Sequence, residues 1–492
     1  MAQCLYWADE HAFFPAFRAR LAARGRRIAQ TLRQTTRAQF QERLRDGLPA
    51  PLLSGADEGP NRRDRIFTLA LTFECFVWQM LKPGTACREV VRQVQTLCTR
   101  AGWGTISESD SAYGQARQRL PKERLEKAVT ATAQTADRRV GTGGRLQGRP
   151  VKVVDGSSTQ LADTAANQKR YPQPATQKRG CGFPLMKFVV FMSLTSGAVL
   201  NVLTGNLHDH DLRLLRGLWD QLQRGDILLG DRAFGEFTTL AGLPRLGVDV
   251  VARLHSRRKV DFRKAQRLGK NDGLFTWAKP NQPSELLSPD EWGLLPATIT
   301  VRIIRFSTTI RGFRSRRLTL VTTLVDAERY PAEELIALYA RRWRLELCLR
   351  DLKTTLGMEV LRGKSPDLAE KELLAYLVVH NLIRCVMAEA VAQYQVDLER
   401  VSFKGSVDAV RVYSAAISQA RNETMRRELW EQLLHDLARD LVRKRPNRTE
   451  PRAVKRRPKP YPLLNQPRHK FVEISHRSRY WKGRPRNYRG LN

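Results

Sequence analysis

Residues 151–158, VKVVDGSS, decide the fold. Upstream of them the chain reads as helical; here the pattern changes to a short apolar, β-branched run that closes on Asp-Gly-Ser-Ser. Such a run predicts a buried strand ending in a turn, with Asp155 at its carboxyl end. Downstream, LMKFVVFMSLTSGAVLNVLTG (185–205) has two apolar runs around Thr-Ser-Gly, the pattern of a β-hairpin. Asp211 then stands as the cap of a helix, DLRLLRGLWDQL. DILLGDRAF (226–234) is another short buried strand with Asp231 just past its end, EFTTLAGLPRLG is a helix, and VDVVARL (248–254) a fifth strand. Strand, hairpin, helix, strand, helix, strand predicts an α/β fold with a mixed sheet.

Residues 1–140 read as a helical N-terminal region. LALTFECFVWQML is a buried helix, KPGT a turn and ACREVVRQVQTLC a basic amphipathic helix. That order suits a DNA-binding helix-turn-helix and equally suits two packed helices without a DNA role. SESDSAYGQARQRLPKERLEKAV begins with capping Ser and Asp ahead of a basic helix, and GTGGRLQGRP (141–150) has the composition of a linker. Residues 255–330 are expected to form an inserted β subdomain built on ATITVRIIRFS and SRRLTLVTTLV. Helix resumes at PAEELIALYARRWRLELCLRDLKTTLG, with Pro331 in its first turn and Gly357 as its stop. DLAEKELLAYLVVHNLIRCVMAEAVAQY follows, helical structure continues over 386–442, and residues 443–492 form a basic Pro/Arg-rich tail, with an aromatic segment near Tyr480 and Trp481.

The charge points to a partner. Across 492 residues, 85 Lys and Arg stand against 49 Asp and Glu, leaving +36. An excess of that size repels itself in a compact chain unless a polyanion neutralises it, so nucleic acid is expected. An acidic membrane is the weaker fit, since no long helix sets a clean apolar face beside the basic residues. The start, MAQCLYWADEHAFF, lacks the apolar core of a signal peptide. No apolar run approaches about 18 residues, so no spanning segment is expected, and the expected location is the cytoplasm. The seven cysteines are scattered, odd in number and never in a CxxC pair, which argues for reduced thiols and against structural zinc.

Asp155 and Asp231 stand at the ends of two strands that the pattern places side by side, the edge where ligands collect in α/β sheets. Read alone, either aspartate is ordinary turn chemistry. Glu346, in YARRWRLELCLRDLK (339–353), read alone is a surface salt bridge to Arg342 or Arg350. Together they form an oxygen donor set for Mg²⁺, able to hold two ions across a phosphodiester. On a continuous helix at about 100° per residue, Tyr339, Arg342, Glu346 and Lys353 fall within an arc of about 60°. Leu338, Leu345, Leu349, Leu352 and Leu356 form the neighbouring core stripe. His208 and His210 sit in a turn with no third clustered ligand and are expected to be structural. His380, inside LLAYLVVHNLIR, is expected in the core, and the serines after Asp155 have no activating base.

At these residues the chain resembles the bacterial DDE transposases of the insertion-sequence-four type. Tyr339, Arg342, Glu346 and Lys353 match their Tyr-x2-Arg-x3-Glu-x6-Lys signature without a gap. DGSS around Asp155, RYPQPATQKRGCGFP, GDRAFG around Asp231 and SAYGQARQRL are similar to further family regions, so the resemblance spans about residues 100 to 385. It implies a ribonuclease H-like catalytic core (145–254 and 331–385) interrupted by the β-rich insertion. It also implies that Asp155, Asp231 and Glu346 bind two Mg²⁺ or Mn²⁺ ions, and that Tyr339, Arg342 and Lys353 contact DNA phosphates. A tryptophan stacks on a base near the break in the family; Trp277 and Trp343 are the candidates, and core packing is an equal reading of either. The implied activity is cut-and-paste transposition by a DNA-bound homodimer acting on terminal inverted repeats, through a DNA hairpin in several members. A nuclease of the same fold that does not join strands, or a non-catalytic DNA-binding regulator, would share much of this pattern.

Overall fold

The computed structural model describes residues 66–100, 106–307, 317–443 and 464–471. Among the described residues, four helices come first: α1 (Leu69–Leu81), α2 (Cys87–Arg100), α3 (Ser111–Arg119) and α4 (Lys122–Val140). α1 covers the predicted apolar run residue for residue, started by Thr68, whose hydroxyl accepts from the Leu71 amide at 3.3 Å. Phe67, Leu71 and Cys75 pack with Val90, Val94, Tyr113 and Ala116 in a small core of their own. α4 instead lies in the main core through Leu125, Ala128 and Val129. The stretch expected as a linker, 141–150, is a packed turn: a Cβ on Gly144, at φ +88, would come 2.7 Å from the Thr195 Cα.

The predicted α/β order follows: β1 (Val151–Gln160), α5 (Ala165–Arg170), β2 (Leu185–Ser193), β3 (Val199–Gly205), α6 (Asp211–Arg216), β4 (Ile227–Gly230), α7 (Phe237–Arg245) and β5 (Asp249–Arg253). β6 (Gln266–Gly269), β7 (Asp272–Ala278), the short helix α8 (Pro289–Gly293), β8 (Thr298–Ser307) and β9 (Arg317–Thr322) come next. The nine strands among the described residues form one sheet, ordered β3-β2-β1-β4-β5-β9-β8-β7-β6. β1, β4 and β5 are parallel; β2 runs antiparallel to β1, β3 antiparallel to β2, and β9 antiparallel to β5. The strands of residues 255–330 therefore form no separate sheet. They extend the first one, because β9 takes the free edge of β5 and leaves no exposed ladder there.

Both faces of the sheet are covered. Val153 and Val190 face a core shared with α4 and the helices after β9; Val154, Val189 and Phe191 face α6, α7, Trp219 and Trp292. Burial on both sides explains why LMKFVVFMS is apolar almost throughout rather than alternating. Between β7 and β8, Arg302 is buried, with Nε donating to Asp272 Oδ1 at 2.8 Å and Nη2 to Oδ2. Its Nη1 donates to the Tyr330 carbonyl at 2.6 Å, which pins the entry to the next helix.

That helix is not continuous. α9 (Ala332–Ala340) ends, Arg341 and Arg342 make a turn, α10 (Trp343–Arg350) resumes, and Asp351–Thr355 close as a π-helical turn. The single continuous helix expected to carry Tyr339, Arg342, Glu346 and Lys353 is thus interrupted by a tighter turn. No Gly or Pro marks the break, which is made of amide bonds three residues back: Arg342 to Tyr339 at 3.1 Å and Leu345 to Arg342 at 3.0 Å.

α11 (Pro366–Tyr394) starts on the Ser365 cap with Pro at its first position, and α12 (Phe403–Gln419) and α13 (Glu423–Arg439) pack beside it. Contrary to the expectation, α11 is long and apolar enough to cross a membrane, but 89% of its apolar window is buried inside the fold. Two of its polar residues find partners there. Asn381 Nδ2 donates to the carbonyls of Val129 at 3.0 Å and Val199 at 2.8 Å, and Glu372 Oε2 accepts from the Arg362 and Gly363 amides at 2.9 and 2.8 Å. His380 lies in the core as expected, stacked on Phe403 at 5.0 Å; burial pulls its pKa down to about 3, so the ring stays neutral. Its Nε2 has no hydrogen-bond partner. Residues 1–65, most of the tail, and with them Tyr480 and Trp481, lie outside the described residues.

Candidate active site

The two aspartates are set by strand register. Val151, Lys152 and Val153 of β1 pair with Ile227, Leu228 and Leu229 of β4. Carried two residues further along each chain, that register brings Asp231 beside Asp155, near enough for its charge to be felt there. Asp155 is not at a strand end, as expected, but in mid-strand, because β1 runs on against β2 with Asp155 opposite Val190 and Gln160 opposite Leu185. It is β4 that stops, at Gly230, and so opens the space beside Asp155. Each carboxylate is braced through one oxygen: Asp155 Oδ1 accepts from the Gly156 amide at 2.8 Å, and Asp231 Oδ1 from the Ala233 amide at 2.7 Å. Gly156 points to the opposite face of the sheet, where a Cβ would lie 2.8 Å from Asp211 Oδ1. Ser157 and Ser158 are simply strand residues opposite Phe188 and Lys187.

The helical half arrives from α9 and α10. Glu346 lies in the first turn of α10, where the amide dipoles favour a negative charge. Arg342 Nη2 donates to Glu346 Oε1 at 2.8 Å, and its Nη1 stands 3.5 Å from Asp155 Oδ2. Arg342 therefore lies between two of the three carboxylates. Burial pushes the Asp155 carboxyl up to about 6; Asp231 and Glu346 push the same way, against the Gly156 amide and the Arg342 guanidinium. Burial also raises the Tyr339 phenol, which lies close enough to feel Arg342, Arg253 and Asp231. One electrostatic cluster thus gathers Asp155, Asp231, Glu346, Tyr339 and Arg342.

The remaining candidates are placed differently. Lys353 lies in the π-helical turn, half-buried; burial lowers its pKa and Glu359, its charged neighbour, opposes that shift. Trp343 is 47% exposed beside Arg342, whereas Trp277 is buried with the Arg258 guanidinium 3.8 Å above its ring. His210 precedes α6 without a side-chain capping bond, and neither His208 nor His210 joins a metal-holding group. Arg253, at the end of β5, was missed by the motif reading. Its signal was available, since a third parallel strand must end at the same edge as β4.

Among the described residues, no three His, Cys, Asp or Glu side chains close tightly enough to hold a metal unaided. The donor set nevertheless fits a hard divalent ion. Its ligands are carboxylate oxygens, a guanidinium already lies between two of them, and Mg²⁺ commonly takes one or two carboxylates plus substrate phosphate and water.

Comparison with known proteins gives the class of protein. The family described as Transposase DDE domain matches residues 146–382. The transposase InsG for insertion sequence element IS4 of Escherichia coli (strain K12) is 28% identical over 403 residues, covering 80% of this chain and 87% of that one. A transposase for insertion sequence element IS421 of Escherichia coli is 36% identical over 64 residues, 13% of this chain and 17% of its own. Among solved structures, a piggyBac transposase synaptic complex with hairpin DNA aligns with a TM-score of 0.38 and 8% identity, over 82% of this chain and 81% of the other. The chain is a DDE transposase. Within that class it is similar to the insertion-sequence-four type, as its Tyr-Arg-Glu-Lys residues implied.

Proposed function

We propose that Asp155, Asp231 and Glu346 are the catalytic carboxylates of a cut-and-paste transposition reaction, and that Tyr339, Arg342, Lys353 and Trp343 hold the DNA end beside them. The observation that carries this reading is the convergence of Asp155 and Glu346 on Arg342, with Asp231 close enough to act with Glu346 in raising the Asp155 carboxyl. Two divalent ions, Mg²⁺ or Mn²⁺, held by the three carboxylates would supply polarisation of the attacking and leaving oxygens of the phosphodiester. The residues supply the rest. Arg342 donates to a phosphate once it leaves Glu346, Tyr339 offers its phenol proton, and Lys353 adds a charge further along the backbone. Trp343, exposed at the start of α10, stacks on an unpaired base; the buried Trp277 is given no such part.

The substrate is double-stranded DNA: the element's terminal inverted repeats, cut at their ends, then target DNA, attacked by the freed 3′-hydroxyl, with a hairpin as the candidate intermediate. The surplus of +36 supports this partner. The strand order β3-β2-β1-β4-β5 with its flanking helices supports a ribonuclease H-like core formed by residues 145–254 and 331–385. Residues 255–330 are then its insertion, 1–140 a helical DNA-binding region, 386–442 a helical support and 443–492 a basic DNA-contacting tail. A homodimer pairs the two ends, and the site of action is the bacterial cytoplasm, at the nucleoid.

The test is Glu346→Gln in a Mg²⁺-dependent cleavage assay on matched element ends. Retained end binding with cleavage lost supports the reading, and normal cutting sinks it. A joining assay on pre-cleaved ends separates a transposase from a nuclease of the same fold.

A further inference from the structure

The break between α9 and α10 leaves Arg342 and Glu346 facing Asp155, yet no backbone ladder sets that direction. What braces the turn is a carboxylate from the C-terminal helical region. Glu399 Oε1 accepts from Arg341 Nη2 at 3.2 Å and lies 2.9 Å from Arg344 Nη1. The same Arg344 Nη1 donates to the Leu194 carbonyl at 2.9 Å, just beyond the end of β2. Arg344 is largely buried; burial pulls its pKa down to about 10, and Glu399 is the charge that opposes this most. The buried Arg384, which bonds the Ser196 carbonyl through Nε, also feels Glu399. One carboxylate thus serves three guanidinium groups, two by contact and one at longer range.

Glu399 is itself held. α11 ends at Gln395 in a left-handed conformation, φ 53. Asp397 Oδ1 then accepts from the Glu399 amide at 2.9 Å, and the Asp397 carbonyl from the Arg400 amide at 2.9 Å. Val401 bridges to Leu441, which ties the loop to the chain leaving α13.

The spacing gives this clamp a consequence. Arg341 and Arg344, three apart, share one side of the turn, while Arg342 and Glu346, four apart, share another. Fixing the first pair from behind fixes where the second pair points. We infer that Glu399 is a positioning residue for the transposase active site: by holding Arg341 and Arg344 it orients Arg342 and Glu346 toward Asp155. The inference rests on the carboxylate assignment above and adds a residue outside the four-residue signature.

The experiment compares full-length Glu399→Gln, Glu399→Asp and Glu346→Gln with the wild type. It reads thermal melting, end-DNA binding, and single-turnover cleavage as a function of Mn²⁺ concentration. Glu399→Gln is expected to bind ends within about threefold of wild type and melt alike, but to cleave about 10- to 100-fold more slowly, with a higher Mn²⁺ concentration for half-maximal rate. Glu399→Asp is expected to recover most of the rate. Wild-type cleavage by Glu399→Gln would overturn the inference. So would a parallel loss of melting temperature, binding and rate with the Mn²⁺ dependence unchanged, since that is mere structural damage. Should Glu399→Gln not fold, Arg341→Gln, which removes the outer half of the clamp, is read by the same measures. Normal cutting by Glu346→Gln would instead overturn the active-site assignment, so the two failures are distinguishable.

Discussion

The two halves of the proposed active site reach the same point by different physics. Asp155 and Asp231 ride on neighbouring parallel strands, and the β1–β4 ladder brings them side by side before any side chain is considered. Tyr339, Arg342 and Glu346 ride on a helix that is interrupted between Ala340 and Trp343. Their direction comes from side chains far away in sequence: Arg302 on the Tyr330 carbonyl at the entry, and Glu399 on Arg341 and Arg344 at the break. The strand half is specified by backbone hydrogen bonds, so it tolerates side-chain change around it. The helical half is specified by bonds from arginine side chains, each of which is a single point of failure.

The hardest test of that contrast is chemical. Asp155→Asn and Asp231→Asn are each expected to abolish metal-dependent cleavage as fully as Glu346→Gln while leaving end binding in place. Activity surviving in either strand variant would leave the helical half to act alone and break the comparison.

Next in size is the anchor at the helix entry. Asp272→Ala strands the buried Arg302 without its carboxylate, and should cost about 3–5 kcal/mol in urea unfolding. A cost below 1 kcal/mol would show that the pair does not hold β7, β8 and the start of α9 together.

A smaller effect should appear in the metal-free protein as a function of pH. Because the folded state raises the Asp155 pKa above its ordinary value of 3.8 to about 6, the native state binds this proton more tightly than the unfolded chain. The protonated carboxyl therefore favours folding below about pH 4, and that contribution is lost as pH rises through about 6. Asp155→Asn should accordingly stabilise the protein at pH 8, on the order of 2 kcal/mol, and give no gain at pH 4. Equal melting of the two proteins at pH 8 would mean that the carboxylate is solvated rather than held at a cost.

Smallest of all, Trp343→Ala should leave stability within about 0.5 kcal/mol, because the ring is already exposed. Its effect should fall on capture of an unpaired base at the cleaved end, read by a fluorescent base analogue placed there.

Much of this was legible in the chain. The run 69–81 and the order of β1 to β5 follow from periodicity and breakers alone, since each element buries a face whose spacing shows in the residues. β6 and β7 were not legible: QRLG is fully exposed, and DGLFTWA gains its partner only when β8 lies beside it. Asp155 was assigned to a strand end because Gly and two serines follow it. Pairing with β2 overrode that local preference and carried the strand on to Gln160. The helix break escaped notice for a related reason. Nothing in ALYARRWRLEL disfavours helix locally, and the kink is paid by Glu399 and Leu194, which are remote in sequence.

By itself, then, the sequence singled out the residues proposed to carry the chemistry, because a carboxylate, a phenol and a guanidinium at fixed spacing declare themselves through residue type. It also determined that the partner is a polyanion, since net charge is a sum that folding does not change. Only the tertiary structure decided how those residues meet. That Asp155 lies beside Asp231, that Arg342 stands between Asp155 and Glu346, and that Glu399 braces the turn from behind are relations across chain separations of tens to hundreds of residues. They are set by sheet register and side-chain anchoring, and no local pattern encodes either.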